Sequence, residues 1–214
     1  MVLAPRLISV SCFGTLLHRK RPRGEFYKQA LKWALPPTND VPPAAALSRG
    51  YRKAFAKQSV AGPNFGKGAP GGCRLWWHDV MSEAVRIAGA PAIVSDPAFP
   101  SVCDWLYDEV DDHWELYPTT APALIDLRKW CDSHGCQLGV VCNMDERLPR
   151  ILKSLGISDK FDFVISSYAC GFEQPSPEIY YAALDIADVP RSALASSASP
   201  VALHCGSGLR CALG

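Results

Sequence analysis

Nowhere does the chain hold the roughly 18 to 20 consecutive apolar residues that a membrane-crossing helix needs, so no spanning segment is expected. An excess of charge of either sign is also missing: 22 Lys and Arg face 21 Asp and Glu, for a formal net charge of +1. That balance argues against a dedicated polyanion binder and against an acidic solvating tail. Met1 to Arg6 lead straight into an apolar stretch and leave no room for the regions of a secretory signal. The expected setting is therefore intracellular, cytoplasm or mitochondrial matrix, which the residues do not separate. None of the nine cysteines forms a C-x-x-C pair. Cys131 and Cys136 have four residues between them and Cys205 and Cys211 five, and no paired histidines accompany either. Reduced thiols packed as small hydrophobes are the simpler reading, with no metal and no cofactor expected.

What is present suits a globular protein of one or two domains: 214 residues, 48% of them hydrophobic and 20% charged. The apolar run from Leu7 to Leu17 reads as a buried first strand that enters a tight turn at Gly14-Thr15. His18, Arg19, Lys20, Arg21 and Arg23 follow in a nearly unbroken basic run, open to two readings: a phosphate contact with RNA, or a solvated face.

From Gly24 to about Leu116 the period is helical. Phe26, Ala30 and Leu31 mark one helix; Leu47, Tyr51 and Phe55 a second; Trp76, Val80, Ala84 and Ile87 a third; Val102, Leu106 and Val110 a fourth. Prolines at 36, 37, 42 and 43 separate the first two, and the Gly/Pro-rich stretch from Gly62 to Gly72 forms a loop before the third. Five of the six tryptophans fall in this insert, Trp33, Trp76, Trp77, Trp105 and Trp114. They read as core, with an exposed Trp76-Trp77-His78 partner surface as the alternative.

Beyond Pro118 strands and helices alternate as in βαβ units. Thr120 is placed to cap a helix through Trp130, stopped by Gly135; Gln137 to Val141 is a buried strand; Asp145 caps a helix ended by Gly156. Phe161 to Ile165 is the next strand, Ser176-Pro177 opens a helix, and Val201 to Cys205 is a last apolar stretch.

A first strand with a G-T-L turn at Gly14-Thr15-Leu16 resembles the opening motif of the haloacid dehalogenase-like (HAD) hydrolases. The likeness extends over G-P-N-F-G…L-W-W-H-D-V-M (Gly62 to Met81), L-G-V-V-C-N-M-D (within Trp114 to Asp145) and F-D-F-V-I-S-S…P-S-P-E-I-Y (Phe161 to Tyr180). It implies an α/β fold: a Rossmann-like parallel sheet formed by residues 1–17 and 117–214, a four-helix cap inserted at 18–116, and a truncated C-terminal end. The family's chemistry is another matter. Ser11 stands where the resemblance places the aspartyl nucleophile and Phe13 where it places the acid/base. Cys142 matches the phosphate-binding hydroxyl, Gln174 the lysine, and Ser207 an acid for Mg²⁺.

Because acids and lysine are replaced together, no orphaned buried charge is left behind; a single buried loss would cost about 3 to 5 kcal/mol. The resemblance thus implies a HAD-like protein without hydrolase chemistry, kept as an interaction subunit of a larger intracellular assembly, with a mitochondrial ribosome or respiratory complex among the first hosts to consider. Two alternatives stay open: a working Mg²⁺-dependent phosphatase or hydrolase, and a module that holds a phosphorylated ligand.

Overall fold

The computed structural model describes residues 4–36, 40–192 and 201–206. The chain divides into two compact units, Met1–His18 with Trp114–Gly214, and Arg19–His113.

The first unit is built on β1 (Leu7–Val10), whose four residues are all buried, as expected of an apolar run covered on both faces. β4 (Gln137–Cys142), β5 (Phe163–Ser166) and β6 (Ala202–Cys205) complete a four-stranded sheet in the order β5-β4-β1-β6. Every pairing in it is parallel, with Leu7 opposite Gln137 on one side and Ala202 on the other. Parallel neighbours need crossovers, and the helical stretches of this unit supply them. These are α7 (Thr120–His134), α8 (Leu148–Ser154), the single turn α9 (Ser167–Cys170) and α10 (Pro177–Ile186), with a short 3-10 turn at Ser158–Lys160. Ile179, Tyr180, Ala183 and Leu184 of α10 pack with Leu7, Val141 and Ile165 of the sheet in one buried cluster. Gly135 ends α7 in the left-handed conformation, φ 62°, as a C-terminal glycine does. A second, two-stranded sheet pairs β2 (Leu17–Arg19) with β3 (Trp114–Leu116), where the chain leaves this unit and returns.

Several expected details move. Thr120 does not cap α7; its hydroxyl donates to the Leu16 carbonyl at 2.6 Å, tying the helix to the turn after β1. Asp145 lies before α8 rather than at its cap, accepting from the Arg147 backbone N–H at 3.0 Å. Ser176 flanks α10 but gives it no side-chain cap, because its hydroxyl bonds Glu178 instead. The strands β2 and β3, three residues each, have no alternating pattern long enough to betray them. Ala195 to Pro200, an Ala/Ser-rich stretch that reads as an insertion relative to the family, lies outside the described residues.

The second unit is helical: α1 (Arg23–Ala34), α2 (Ala44–Ala61), α4 (Gly72–Ile87) and α6 (Phe99–Asp108), with single turns α3 (Pro63–Gly66) and α5 (Pro91–Val94). In α1 the buried face is Phe26, Tyr27, Ala30 and Leu31, on the expected stripe. In α2 the buried stripe is Leu47, Gly50 and Ala54, one position off the Leu47-Tyr51-Phe55 row. Size decides the difference: an alanyl methyl group at Gly50 would lie 2.3 Å from the Ala84 carbonyl oxygen of α4, so the helices meet where side chains are smallest. Arg74 of α4 binds Asp104 at 2.8 Å and Asp108 at 2.6 Å on α6, and the His78 ring lies 3.1 Å from Asp104.

The tryptophans divide. Trp76 is buried, donating its indole N–H to Gly62 at 2.7 Å, while Trp33 is 75% exposed. Trp114 belongs to β3 and the first unit. The basic run is occupied locally: Lys20 bonds the Asp111 carbonyl at 2.9 Å, Arg21 bonds Gln29 at 2.9 Å, and the Arg23 guanidinium lies 3.8 Å from the centre of the Tyr51 ring. No helix among the described residues is long and apolar enough to cross a membrane.

Gly50→Ala is expected to lower stability by about 1 to 3 kcal/mol, the usual cost of overpacking, read as a fall in melting temperature. Gly68→Ala, where added atoms meet open space but φ is 82°, should cost less. Equal losses in both variants would show that α2 and α4 can part without penalty.

Candidate functional site

Parallel α/β sheets place their working residues at the carboxyl ends of the strands, and here those ends carry the motif positions. After Val10 the chain continues its ladder with β6 once more, the Ser11 N–H donating to the Cys205 carbonyl at 2.8 Å. It then wraps around a single acceptor. The Cys12 carbonyl receives the N–H groups of Leu16 at 2.8 Å, Leu17 at 3.1 Å and Thr15 at 3.2 Å, a closure that Gly14 permits with φ 73°. These hydrogen bonds are all backbone to backbone, with no part taken by the side chains at positions 11 and 13.

The structure brings Ser11 and Cys142 together and places Phe13 elsewhere. The Ser11 hydroxyl donates to the Cys142 sulfur at 3.8 Å. Phe13 turns away from chemistry, its ring centre 4.5 Å from that of Trp114. Cys142, the last residue of β4, is buried and also accepts from the Cys12 thiol and from the backbone N–H groups of Cys12 and Phe13. The Cys12 hydrogen bond, followed by these backbone donors and Ser11, holds the Cys142 thiol below the usual range despite its burial. Cys12 is driven the other way, by donating that bond and by its own burial.

Gln174 is held by a clamp that spacing along the chain does not reveal. Asn143 donates through Nδ2 to the Gln174 carbonyl at 2.9 Å and accepts the Gln174 N–H on Oδ1 at 2.6 Å. The Gln174 side chain, nearly buried, donates through Nε2 to the Val141 carbonyl at 3.3 Å and lies 3.2 Å from the His204 Nε2. His204 Nδ1 in turn lies 2.9 Å from the buried Ser9 hydroxyl. An amide nitrogen has no lone pair to offer, so His204 Nε2 must be the acceptor and Nδ1 must carry the proton. Ser9 then accepts from the ring, which is the wrong direction for a histidine that would activate a serine. The chain Asn143, Gln174, His204, Ser9 is a neutral hydrogen-bond network across β1, β4 and β6. From the sequence, Gln174 stands at a motif position, Asn143 reads as a turn residue, and His204 falls in the segment that the resemblance matches to the family's last motif. Ser207 lies outside the described residues.

Asp145, an acid three residues beyond β4, is fully buried and paired with the Arg147 guanidinium at 2.5 Å. At the end of β1 the donor set is a hydroxyl, two thiols and a phenyl ring. Mg²⁺ demands hard oxygen ligands, usually with at least one carboxylate, and these residues do not fit it. Among the described residues no cluster of three or more His, Cys, Asp or Glu could hold a metal ion.

Comparison with known proteins places this geometry. A sequence model described as haloacid dehalogenase-like hydrolase matches residues 12–195. The mouse haloacid dehalogenase-like hydrolase domain-containing protein 3 is 32% identical over 211 residues, 98% of this chain and 76% of that protein. Its human counterpart is 33% identical over 186 residues, covering 85% of this chain and 69% of that protein. A crystal structure of a dehalogenase with an intermediate complex superposes with a TM-score of 0.63 at 18% identity, over 98% of this chain and 80% of that one. At that identity the likeness shows the fold alone.

The neutral network makes a pH prediction. Burial holds the His204 imidazole below its ordinary value of 6.5. The unfolded chain therefore binds a proton more readily than the folded one, so this contribution to stability is complete above about pH 6.5 and is lost as pH falls through the lower folded value. Chemical denaturation between about pH 7 and pH 5 should show a steeper loss for the native chain than for His204→Gln, which cannot titrate there. Parallel curves would mean that the ring is as easily protonated folded as unfolded.

Proposed function

Because this chain belongs to the haloacid dehalogenase-like hydrolase family, we propose that it is a member whose catalytic centre has been replaced by neutral packing, and that it acts through interaction with other proteins in a larger assembly. One observation carries the reading. At the end of β1 the nucleophile position is a hydroxyl bonded to a sulfur, and the acid/base position is a phenyl ring packed at a tilt against Trp114. Phosphoryl or acyl transfer through a carboxylate needs that carboxylate, a proton donor beside it and a means of offsetting the developing charge. The Ser11 hydroxyl faces the Cys142 sulfur, and the His204 imidazole bonds Ser9 instead. Where the resemblance calls for a lysine, the Gln174 amide is committed to Val141 and His204.

The interaction role draws on the second unit. Trp33 at 75% exposure and Val60 at 84% present large apolar side chains to solvent, as do Leu75 and Ile87 in part. Scattered exposure of this kind is common on monomers; an indole that open is less so. Loss of chemistry with retention of the fold is what is expected when a surface, rather than a site, is still in use.

Two readings compete on measurable ground. Purified protein supplied with Mg²⁺ and a generic phosphomonoester is expected to turn over no faster than buffer, and Ser11→Ala is expected to leave that baseline unchanged. Mg²⁺-dependent hydrolysis lost in Ser11→Ala would overturn the proposal in favour of a working hydrolase. The same preparation titrated with inorganic phosphate should show no rise in melting temperature; a rise of several degrees would favour the phosphate-binding module. Sedimentation of the protein from its source under mild conditions should place it well above the 23.3 kDa of one chain.

A further inference from the structure

Two cysteines lie at the carboxyl ends of neighbouring strands, Cys142 as the last residue of β4 and Cys12 in the turn two residues beyond β1. The β1–β4 register itself ends with Val10 opposite Val140. The thiols are already in contact, Cys12 donating to the Cys142 sulfur.

Their surroundings divide the work between them. The Cys142 sulfur collects the Cys12 thiol, two backbone N–H groups and the Ser11 hydroxyl, donors that stabilise a thiolate. Cys12 is the proton-bearing partner. That is the arrangement of an attacking thiol and a resolving one. Both sulfurs are covered, Cys12 being 0% exposed and Cys142 2%. Ser11, in contact with Cys142, is half-buried.

We propose that Cys12 and Cys142 form an oxidation site that closes to an intramolecular disulfide on reaction with hydrogen peroxide. In the first step the Cys142 thiolate attacks one peroxide oxygen, the O–O bond breaks, and hydroxide leaves and takes up a proton to become water; Cys142 is now a sulfenic acid. In the second step the Cys12 sulfur attacks the Cys142 sulfur, the S–O bond breaks, and the hydroxyl departs as water with the Cys12 proton. Two thiols and one peroxide give one disulfide and two waters, the sulfurs losing two electrons and the peroxide gaining them. The product fastens β1 to β4 and removes the sulfur that Ser11 and the turn amides now face.

The molecule carries its own control. Cys131 and Cys136 are a second pair in thiol–thiol contact, but burial pushes both of them above the usual range, so neither supplies the thiolate that starts the reaction. The test uses the full chain, treated with hydrogen peroxide, alkylated with N-ethylmaleimide, digested and mapped by mass spectrometry. The expected product is a Cys12–Cys142 linked peptide, lighter than its two parts by two hydrogens and released by dithiothreitol. In Cys12→Ser, Cys142 should instead be tagged by dimedone, a reagent for sulfenic acid. Complete alkylation of Cys12 and Cys142 after a treatment that oxidises the exposed Cys205 overturns the proposal, as does a Cys131–Cys136 disulfide formed in their place. Because the native chain alone gives this readout, a folding defect in Cys12→Ser leaves the test intact.

Discussion

Among the described residues that follow β1 and end β4, Ser11, Cys12, Phe13, Cys142 and Asn143, none carries a carboxylate or an ammonium, and the cost of burying either one alone organises what stands there instead. A lone ion in such a place is worth several kcal/mol against the fold unless it is paired and hydrogen-bonded. The structure meets that constraint in two ways. Asp145 is paired with Arg147 through both of its oxygens. Gln174 and His204 are instead satisfied by an amide, a carbonyl and a hydroxyl. Removing one member of that chain strands the others: without the Gln174 amide, His204 Nε2 loses its donor and the Val141 carbonyl its partner. A neutral network of this kind is as demanding as an ion pair in geometry, and much less so in desolvation.

The turn after β1 is closed by its backbone. Its hydrogen bonds run from the Thr15, Leu16 and Leu17 N–H groups to the Cys12 carbonyl and from the Gly14 N–H to the Leu17 carbonyl, with Gly14 at positive φ, and none of them uses the side chain at 11 or 13. The Leu16 carbonyl in turn holds Thr120. The features most visible as a resemblance in the sequence are the ones the backbone needs.

This separates what was legible from what was not. Buried strands and long amphipathic helices follow from composition and period, and β1, β4, α1, α4 and α10 lie where those patterns put them. Local choices between equivalent polar partners do not follow. Thr120 has the chemistry of a cap, but a carbonyl 104 residues away in the sequence was within reach and won. Asn143 reads as a turn residue because its partner, Gln174, is separated from it by 31 positions. Ser9 and His204 meet because β6 lies beside β1 in a register that sets Ser9 against His204. In α2 the stripe was misplaced by one residue because a glycine, which counts for nothing in a hydrophobic period, is what allows α4 to approach.

The same sheet order bears on the cysteines. β1 and β4 are neighbours in the sheet, and the turn that follows β1 brings the Cys12 thiol onto the Cys142 sulfur at the end of β4. What two alanines could not do is accept the turn's amides, and the Cys142 sulfur accepts both the Cys12 and Phe13 N–H groups. In a site that lacks an anion, the sulfur is the group that can carry negative charge toward those donors. The requirement that buried N–H groups be satisfied therefore selects the same atom that the oxidation chemistry needs, and it does so in the resting, reduced fold.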